Sequence, residues 1–227
     1  MGRADLITAI IGLGRIGSPL AQELVAGGEP VILASRKLSQ ATTRAKRLGP
    51  LAKAATVATA IFSADVVIFA VAFDLIKEMV VQYSDLLEGK IVIDPSSPVN
   101  LDENNELERV LPEGQSAGSV IAGLLPVGTR FVKSFGTLSA ESLRAETRRV
   151  PDRAVLFYAT NDRDAGAVTE RLIRSAGFDP VRVGDVEDCL RIEVGGDLHQ
   201  FGGLYGRVLG VAEARSALSA ENEAAIA

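Results

Sequence analysis

Three glycines spaced as Gly12-x-Gly14-x-x-Gly17 are the residues of this chain whose type and spacing point most directly to chemistry. They lie between an apolar run, Leu6 to Ile11, and a segment in which Ile16, Leu20 and Leu24 recur at four-residue spacing, so the pattern predicts strand, tight turn and helix. In that setting Gly12 permits the turn, Gly14 lets a pyrophosphate approach the backbone, and Gly17 lets helix and strand pack closely. The helix start then offers free N–H groups and a positive dipole end to phosphate. A dinucleotide is therefore expected on Gly12, Leu13, Gly14, Arg15, Ile16 and Gly17.

The next strand discriminates between dinucleotides. An NAD site usually places Asp or Glu there for the ribose hydroxyls, whereas Val31 to Ala34 runs into Ser35-Arg36-Lys37, a hydroxyl followed by two cations. NADP(H) is favoured, with Ser35, Arg36 and Lys37 facing the 2′-phosphate. Two further strand ends should form the nicotinamide crevice, because ligands of open α/β sheets lie beyond the carboxyl ends of the strands. They are Ala70-Val71-Ala72-Phe73 and Asp94-Pro95-Ser96-Ser97-Pro98. The second is a rigid loop whose hydroxyls suit a carboxamide.

These residues require a scaffold that brings strand ends together, and the chain supplies its pattern. From residue 6 to about 135, short apolar runs alternate with helical segments, the sign of a parallel α/β sheet. Strands are expected at Leu6–Ile11, Val31–Ser35, weakly near Ala54–Val57, then at Asp65–Val71, Ile91–Asp94 and Arg130–Phe135. Helices are expected from Arg15 or Ile16 to Ala26, after Ser39 to Leu48, and from Asp74 towards Leu86, with Ser39 and Asp74 as N-caps. A strand over Arg153–Ala159, a helix over Asp164–Ala176 and a strand over Pro180–Val183 read as an appended unit. The fold class is thus α/β: an N-terminal Rossmann doubly wound parallel sheet (1–150) and a small C-terminal α/β unit (151–227) contributing acceptor-site and dimer contacts. In that unit Gly202, Gly206 and Gly210 share a four-residue spacing, which predicts either a helix packed tightly on its own domain or a second subunit, or a broken helix with loops. The polar run Asp102 to Arg109 reads as a solvated face.

Composition removes several function classes. The chain has 227 residues, 47% hydrophobic and 23% charged, an ordinary globular balance. A formal charge of −5 disfavours a broad nucleic-acid surface. The longest apolar run, Val66 to Phe73, is fenced by Asp65 and Asp74 and falls far short of the roughly 20 residues that span a bilayer. No export signal is read at the amino terminus. One cysteine, Cys189, forms no internal disulfide and has no metal-ligand spacing around it, so a cytoplasmic setting and no metal are expected.

The chain resembles the F420-dependent NADP reductases over almost its whole length. The resemblance is carried by the glycine turn, by Ala34-Ser35-Arg36-Lys37, by Val132-Lys133-Ser134-Phe135-Gly136-Thr137-Leu138, and by Ala176 to Gly184. It implies hydride exchange between NADPH and the deazaflavin coenzyme F420; related domains pass hydride to flavin. It assigns the 2′-phosphate to Ser35 and Arg36 and places Phe135, Gly136 and Thr137 at an acceptor pocket, which the strand-end residues Phe73, Ser97 and Pro98 are expected to complete. Two positions depart from the family. Relatives commonly carry Asn or His at Gly136, and a proline at Ala72.

Acid–base groups are sparse. No lysine follows Lys133, unlike the β-hydroxyacid dehydrogenases, which place one on a C-terminal-domain helix, and His199 is the only histidine. Candidate proton donors are Thr137, Ser96, Ser97 and His199. Transfer between two ring cofactors needs mostly positioning, so a small-molecule hydride acceptor of the deazaflavin or flavin type leads. Reduction of a small carbonyl or imine, and a non-catalytic NADP(H)-sensing module, stay open as alternatives.

Overall fold

The structure is a computed structural model that describes residues 6–101 and 107–224. Residues 1–5, where no export signal was read, and 102–106 of the acidic run lie outside the described residues. The strands are β1 (Thr8–Ile11), β2 (Val31–Ala34), β3 (Ala52–Ala54), β4 (Val66–Phe69), β5 (Ile91–Asp94), β6 (Val99–Leu101), β7 (Leu107–Arg109), β8 (Arg130–Ser134), β9 (Val155–Ala159) and β10 (Asp179–Gly184). Eight of them form one sheet in the order β10-β9-β8-β5-β4-β1-β2-β3. All its pairings are parallel except β8 with β9. Strands β6 and β7 form a separate antiparallel ribbon, so Leu107–Arg109, expected in a solvated run, is a strand with Leu107 and Glu108 exposed.

Strands β1, β2, β4 and β5 are buried at every residue, as parallel strands covered on both faces must be. Their alternate side chains feed two apolar layers. One face carries Ile11, Ala34, Phe69 and Val92 against α3 (Val57–Ser63), α4 (Phe73–Gln82) and α6 (Ala117–Leu124). The other carries Ile10, Leu33, Ile68 and Ile93 against α1 (Gly17–Ala26), α2 (Leu38–Leu48) and α8 (Arg163–Ser175). Short helices α5 (Ser84–Leu87) and α7 (Ala140–Ala145), a 3₁₀ helix (Val186–Ile192) and α9 (Val211–Ala224) complete the layers.

The chain leaves β1 towards β2 and β3, then crosses back to lay β4 on the other side of β1. That reversal is the topological switch point at which such sheets bind ligands. Register brings the strand ends level there, with Ile11 opposite both Ala34 and Phe69. Gly12, Ser35 and Ala70 therefore emerge side by side.

The sheet does not stop at residue 150. β9 pairs with β8, and β10, with Pro180 tolerated on the edge, extends the same sheet. The two parts are also joined by α1 and α8. Ser175 Oγ donates to Glu29 Oε1 at 2.7 Å, the Arg148 guanidinium bridges Glu23 and the Ser175 carbonyl, and a Cβ at Gly27 would run into that carbonyl.

Local expectations changed in three places. Helices α2 and α4 begin at Leu38 and Phe73, so Ser39 and Asp74 lie in the first turns instead of capping them. The weak strand near Ala54–Val57 sits earlier, at β3, because Thr56 caps a helix starting at Val57, accepting from the Thr59 N–H. Gly202, Gly206 and Gly210 precede α9 in a run of turns, with Gly206 at φ +83°, so the helical face that motivated self-association does not form. Close backbone approach is nonetheless real, since a Cβ at Gly202 would strike Gly196.

Gly27→Ala is expected to lower unfolding free energy by about 1–3 kcal/mol through overpacking at the α1–α8 joint. Gly123→Ala, where nothing lies within 4 Å of the added Cβ, is expected to raise it by about 0.5–1 kcal/mol. Urea unfolding of both variants checks the pair.

Candidate functional site

A cleft of about 1340 Å³ opens at the switch point. Its phosphate end is the β1–α1 turn. Gly12 has φ +99°, and a Cβ there would press on Ala70 and Val71; a Cβ on Gly17 would strike the Gly12 carbonyl. A Cβ on Gly14 would meet nothing within 4 Å. Two glycines are thus needed by the protein's own packing, and the middle one leaves backbone bare towards the cleft. The start of α1 has no side-chain cap and no acid in its first turn, so its dipole end is available to an anion. Ser18 Oγ donates to the Leu13 carbonyl at 2.8 Å and braces the turn.

Across the cleft mouth, Ser35 Oγ donates to the Lys37 carbonyl at 2.8 Å, folding the β2–α2 connection so that Arg36 and Lys37 lie exposed at the rim. The cleft walls carry Leu13, Arg15 and Ile16 at this end and Ala70, Val71, Ala72 and Phe73 beyond β4. Pro95, Ser96 and Ser97 close the far side. Gln40, Leu75 and Met79, which the sequence did not single out, also line it. Ser96 is 9% exposed, and its buried Oγ has no hydrogen-bond partner among the described residues. An orphaned hydroxyl in a cleft wall fits a ligand amide or carbonyl.

The loop that carries Ser96 is held from beneath by a buried charge cluster the sequence reading passed over. Asp94 and Lys133 are paired across β5 and β8, and Lys133 Nζ lies 2.6 Å from Asp94 Oδ2 and 3.2 Å from Glu193 Oε1. The same ammonium donates to the Ser96 carbonyl at 2.6 Å, while Asp94 Oδ1 accepts from the Ser96 N–H at 2.7 Å. Glu193 accepts from the Ala117 and Gly118 N–H groups at the start of α6, and the Val194 N–H donates to Ser97 Oγ at 3.0 Å. Burial alone would lower the Lys133 pKa, but Asp94 and Glu193 more than offset it and drive it upward, so the lysine is charged. Burial pushes the neighbouring Cys189 thiol up to about 12, leaving it protonated. A readable signal existed: single charges inside Ile91-Val92-Ile93-Asp94 and Phe131-Val132-Lys133-Ser134 imply a buried pair, since unpaired charge is not tolerated there.

Several expected site residues lie elsewhere. Gly17 and Pro98 support the turn and loop without lining the cleft. Phe135, Gly136 and Thr137, expected in an acceptor pocket, are outside the cleft wall as well, with Phe135 fully buried at φ +65°. Gly136 is packed so that a Cβ would collide with the Pro95 carbonyl, which makes glycine here a packing requirement of the Pro95–Ser97 loop. Thr137 Oγ1 is buried and without a partner among the described residues. His199 is 2% exposed, and both ring nitrogens are engaged in the protein: Nδ1 accepts from the Phe201 N–H at 2.9 Å, leaving Nε2–H to donate to the Gly136 carbonyl at 3.0 Å. Gln200 ties Ser139, Ser142 and Gly206 together. His199 and Gln200 thus brace the 136–139 loop, and His199 is removed from the proton-donor candidates.

Burial holds the His199 pKa down to about 4, with the nearby Lys133 charge acting the same way and the Gly136 carbonyl opposing both. As the pH falls below about 6.5, the unfolded imidazole takes up a proton that the folded one refuses until about 4. Stability present above that window should be lost across it, by up to about 3 kcal/mol. His199→Gln should flatten this part of the unfolding free energy against pH; an unchanged slope would contradict the neutral ring. Lys133→Met should cost about 3–5 kcal/mol, because it strands two carboxylates in the interior, measured by urea unfolding at neutral pH.

Comparison with known proteins agrees with this architecture. Residues 7–98 match the family described as NADP oxidoreductase, coenzyme F420-dependent. The metalloreductase STEAP3 of Rattus norvegicus is 30% identical over 81% of the chain, which spans only 35% of that protein's length. The F420-dependent NADP reductase of Methanothermobacter thermautotrophicus is 27% identical over 82% of the chain and 84% of its own. The crystal structure of a hypothetical protein, SMa0349 of Sinorhizobium meliloti, superimposes with a TM-score of 0.77 at 32% identity, covering 90% of this chain and 95% of that one. The match to the coenzyme F420-dependent NADP oxidoreductase family thus falls on the residues that carry the cleft, 7–98.

Proposed function

We propose that the chain binds NADPH across the switch-point cleft and transfers hydride between its nicotinamide and a ring acceptor of the deazaflavin or flavin class. The observation that carries the reading is one continuous cleft. It runs from the bare Gly14 backbone, past Arg36 and Lys37 at the rim, to the orphaned Ser96 hydroxyl. Diphosphate suits the first, a 2′-phosphate the second, and a carboxamide the third. Nicotinamide, when bound, supplies the hydride; the protein's part is orientation and exclusion of water.

Acid–base poverty favours a ring acceptor over a carbonyl. With His199 committed to Gly136 and Phe201, the cleft wall offers only serine hydroxyls and exposed cations as proton sources. A reduced carbonyl needs a proton delivered to its oxygen in the transition state, whereas a ring acceptor exposed at the cleft mouth can draw its proton from solvent. Relatives support the same class of chemistry: the archaeal protein is named for F420 and NADP, the rat protein for metal reduction.

The test is an acceptor screen followed by absorbance of the nicotinamide. NADPH should be stable with protein alone and be oxidised when coenzyme F420 or a free flavin is added. Silence with both ring systems, in protein shown to bind NADPH, would reject the ring-acceptor reading.

A further inference from the structure

The segment 30–64, which builds β2, α2, β3 and α3, contains six cations and no carboxylate, within a chain of formal charge −5. Such segregation puts a local positive field beside the rim where Arg36 and Lys37 lie. Behind that rim, between α1 and α2, is a second cavity of about 380 Å³. It shares Leu13 and Gln40 with the main cleft, so the two are neighbours along one wall. Its polar lining includes Arg44, Arg47, Ser39 and Thr43, with no carboxylate among the described residues.

Arg44 is set for an anion. Its Nη2 donates to the Ser18 carbonyl at 3.0 Å, which anchors the guanidinium to the start of α1 without neutralising it. Its Nε is buried and has no partner among the described residues, an arrangement that costs free energy unless something accepts from it. Two guanidiniums with hydroxyls around them match the geometry of a phosphate group, whose oxygens take paired N–H donors.

We propose that this cavity is an oxyanion subsite adjoining the dinucleotide cleft, with Arg44 its anchored donor and Arg47 its exposed one, and that it takes a phosphate monoester group. The proposal deepens the NADPH reading and rests on it where the group is the 2′-phosphate; a free phosphate would use the same donors.

Calorimetric titration of NADPH, NADH and inorganic phosphate into the wild-type chain, Arg44→Gln, Arg47→Gln and Arg36→Gln separates these cases. If the 2′-phosphate is the ligand, Arg44→Gln weakens NADPH about tenfold, the size of one lost charged hydrogen bond, leaves NADH within about twofold, and phosphate competes with NADPH. If free phosphate is the ligand, it binds protein already saturated with NADPH, and Arg44→Gln abolishes that binding while NADPH affinity holds. Arg47→Gln, which removes no anchoring bond to α1, should shift the same quantity and carries the test if Arg44→Gln does not fold. Unchanged NADPH affinity and unchanged phosphate binding in both variants would overturn the proposal. Failure of the underlying reading looks different: NADPH and NADH would bind the wild type equally, and Arg36→Gln would change neither.

Discussion

The close approach of the β1–α1 turn to β4 is the constraint on which the rest of the structure depends. A side chain at Gly12 would push Ala70 and Val71 away, and one at Gly17 would push against Gly12 itself. These contacts lock the start of α1 against the ends of β1 and β4, at the point where the sheet order reverses. Because the nearest atom at each glycine is a backbone carbonyl oxygen, a change of neighbouring side chain alone cannot make room there. The dinucleotide site follows from that packing: the helix end is held still, uncapped and facing the crevice, and Gly14 leaves its approach clear.

The opposite wall is fixed by electrostatics. Lys133 grips the Ser96 carbonyl and Asp94 takes the Ser96 N–H, so one residue of the cleft-lining loop is held at both of its backbone groups by an ion pair. Glu193 closes the cluster and is itself steadied by the positive end of α6. Isolated charges would be untenable at this depth, but the ammonium and every carboxylate oxygen of the cluster have partners. The result is a stiff loop between two strands that come from distant parts of the chain, with the 199–200 turn bracing it through Gly136.

Much of this was legible in the sequence. Period and punctuation located most strands of the sheet, and the glycine spacing together with Ser35-Arg36-Lys37 marked residues that do line one cleft. The errors have particular causes. Pattern cannot tell whether a strand extends an existing sheet or starts another, and so β9 and β10 read as a separate unit. Glycine spacing at Gly202, Gly206 and Gly210 mimicked a helical face because turns select glycine too, Gly202 for its close approach to Gly196 and Gly206 for its positive φ. Gly136 read as a vacated pocket position, when what excludes a side chain there is the Pro95 carbonyl, a contact over 41 residues that no local pattern encodes. His199 drew attention as the only histidine, yet burial and two backbone partners consume it.

The central claim, that the dinucleotide lies along the switch-point cleft, is tested most directly by hydrogen–deuterium exchange with and without saturating NADPH. The account predicts slowed amide exchange at residues 12–17, 35–37 and 96–97 together, with little change at β10 and α8. Protection confined to other segments, or none at residues 12–17 in protein that demonstrably binds NADPH, would contradict it.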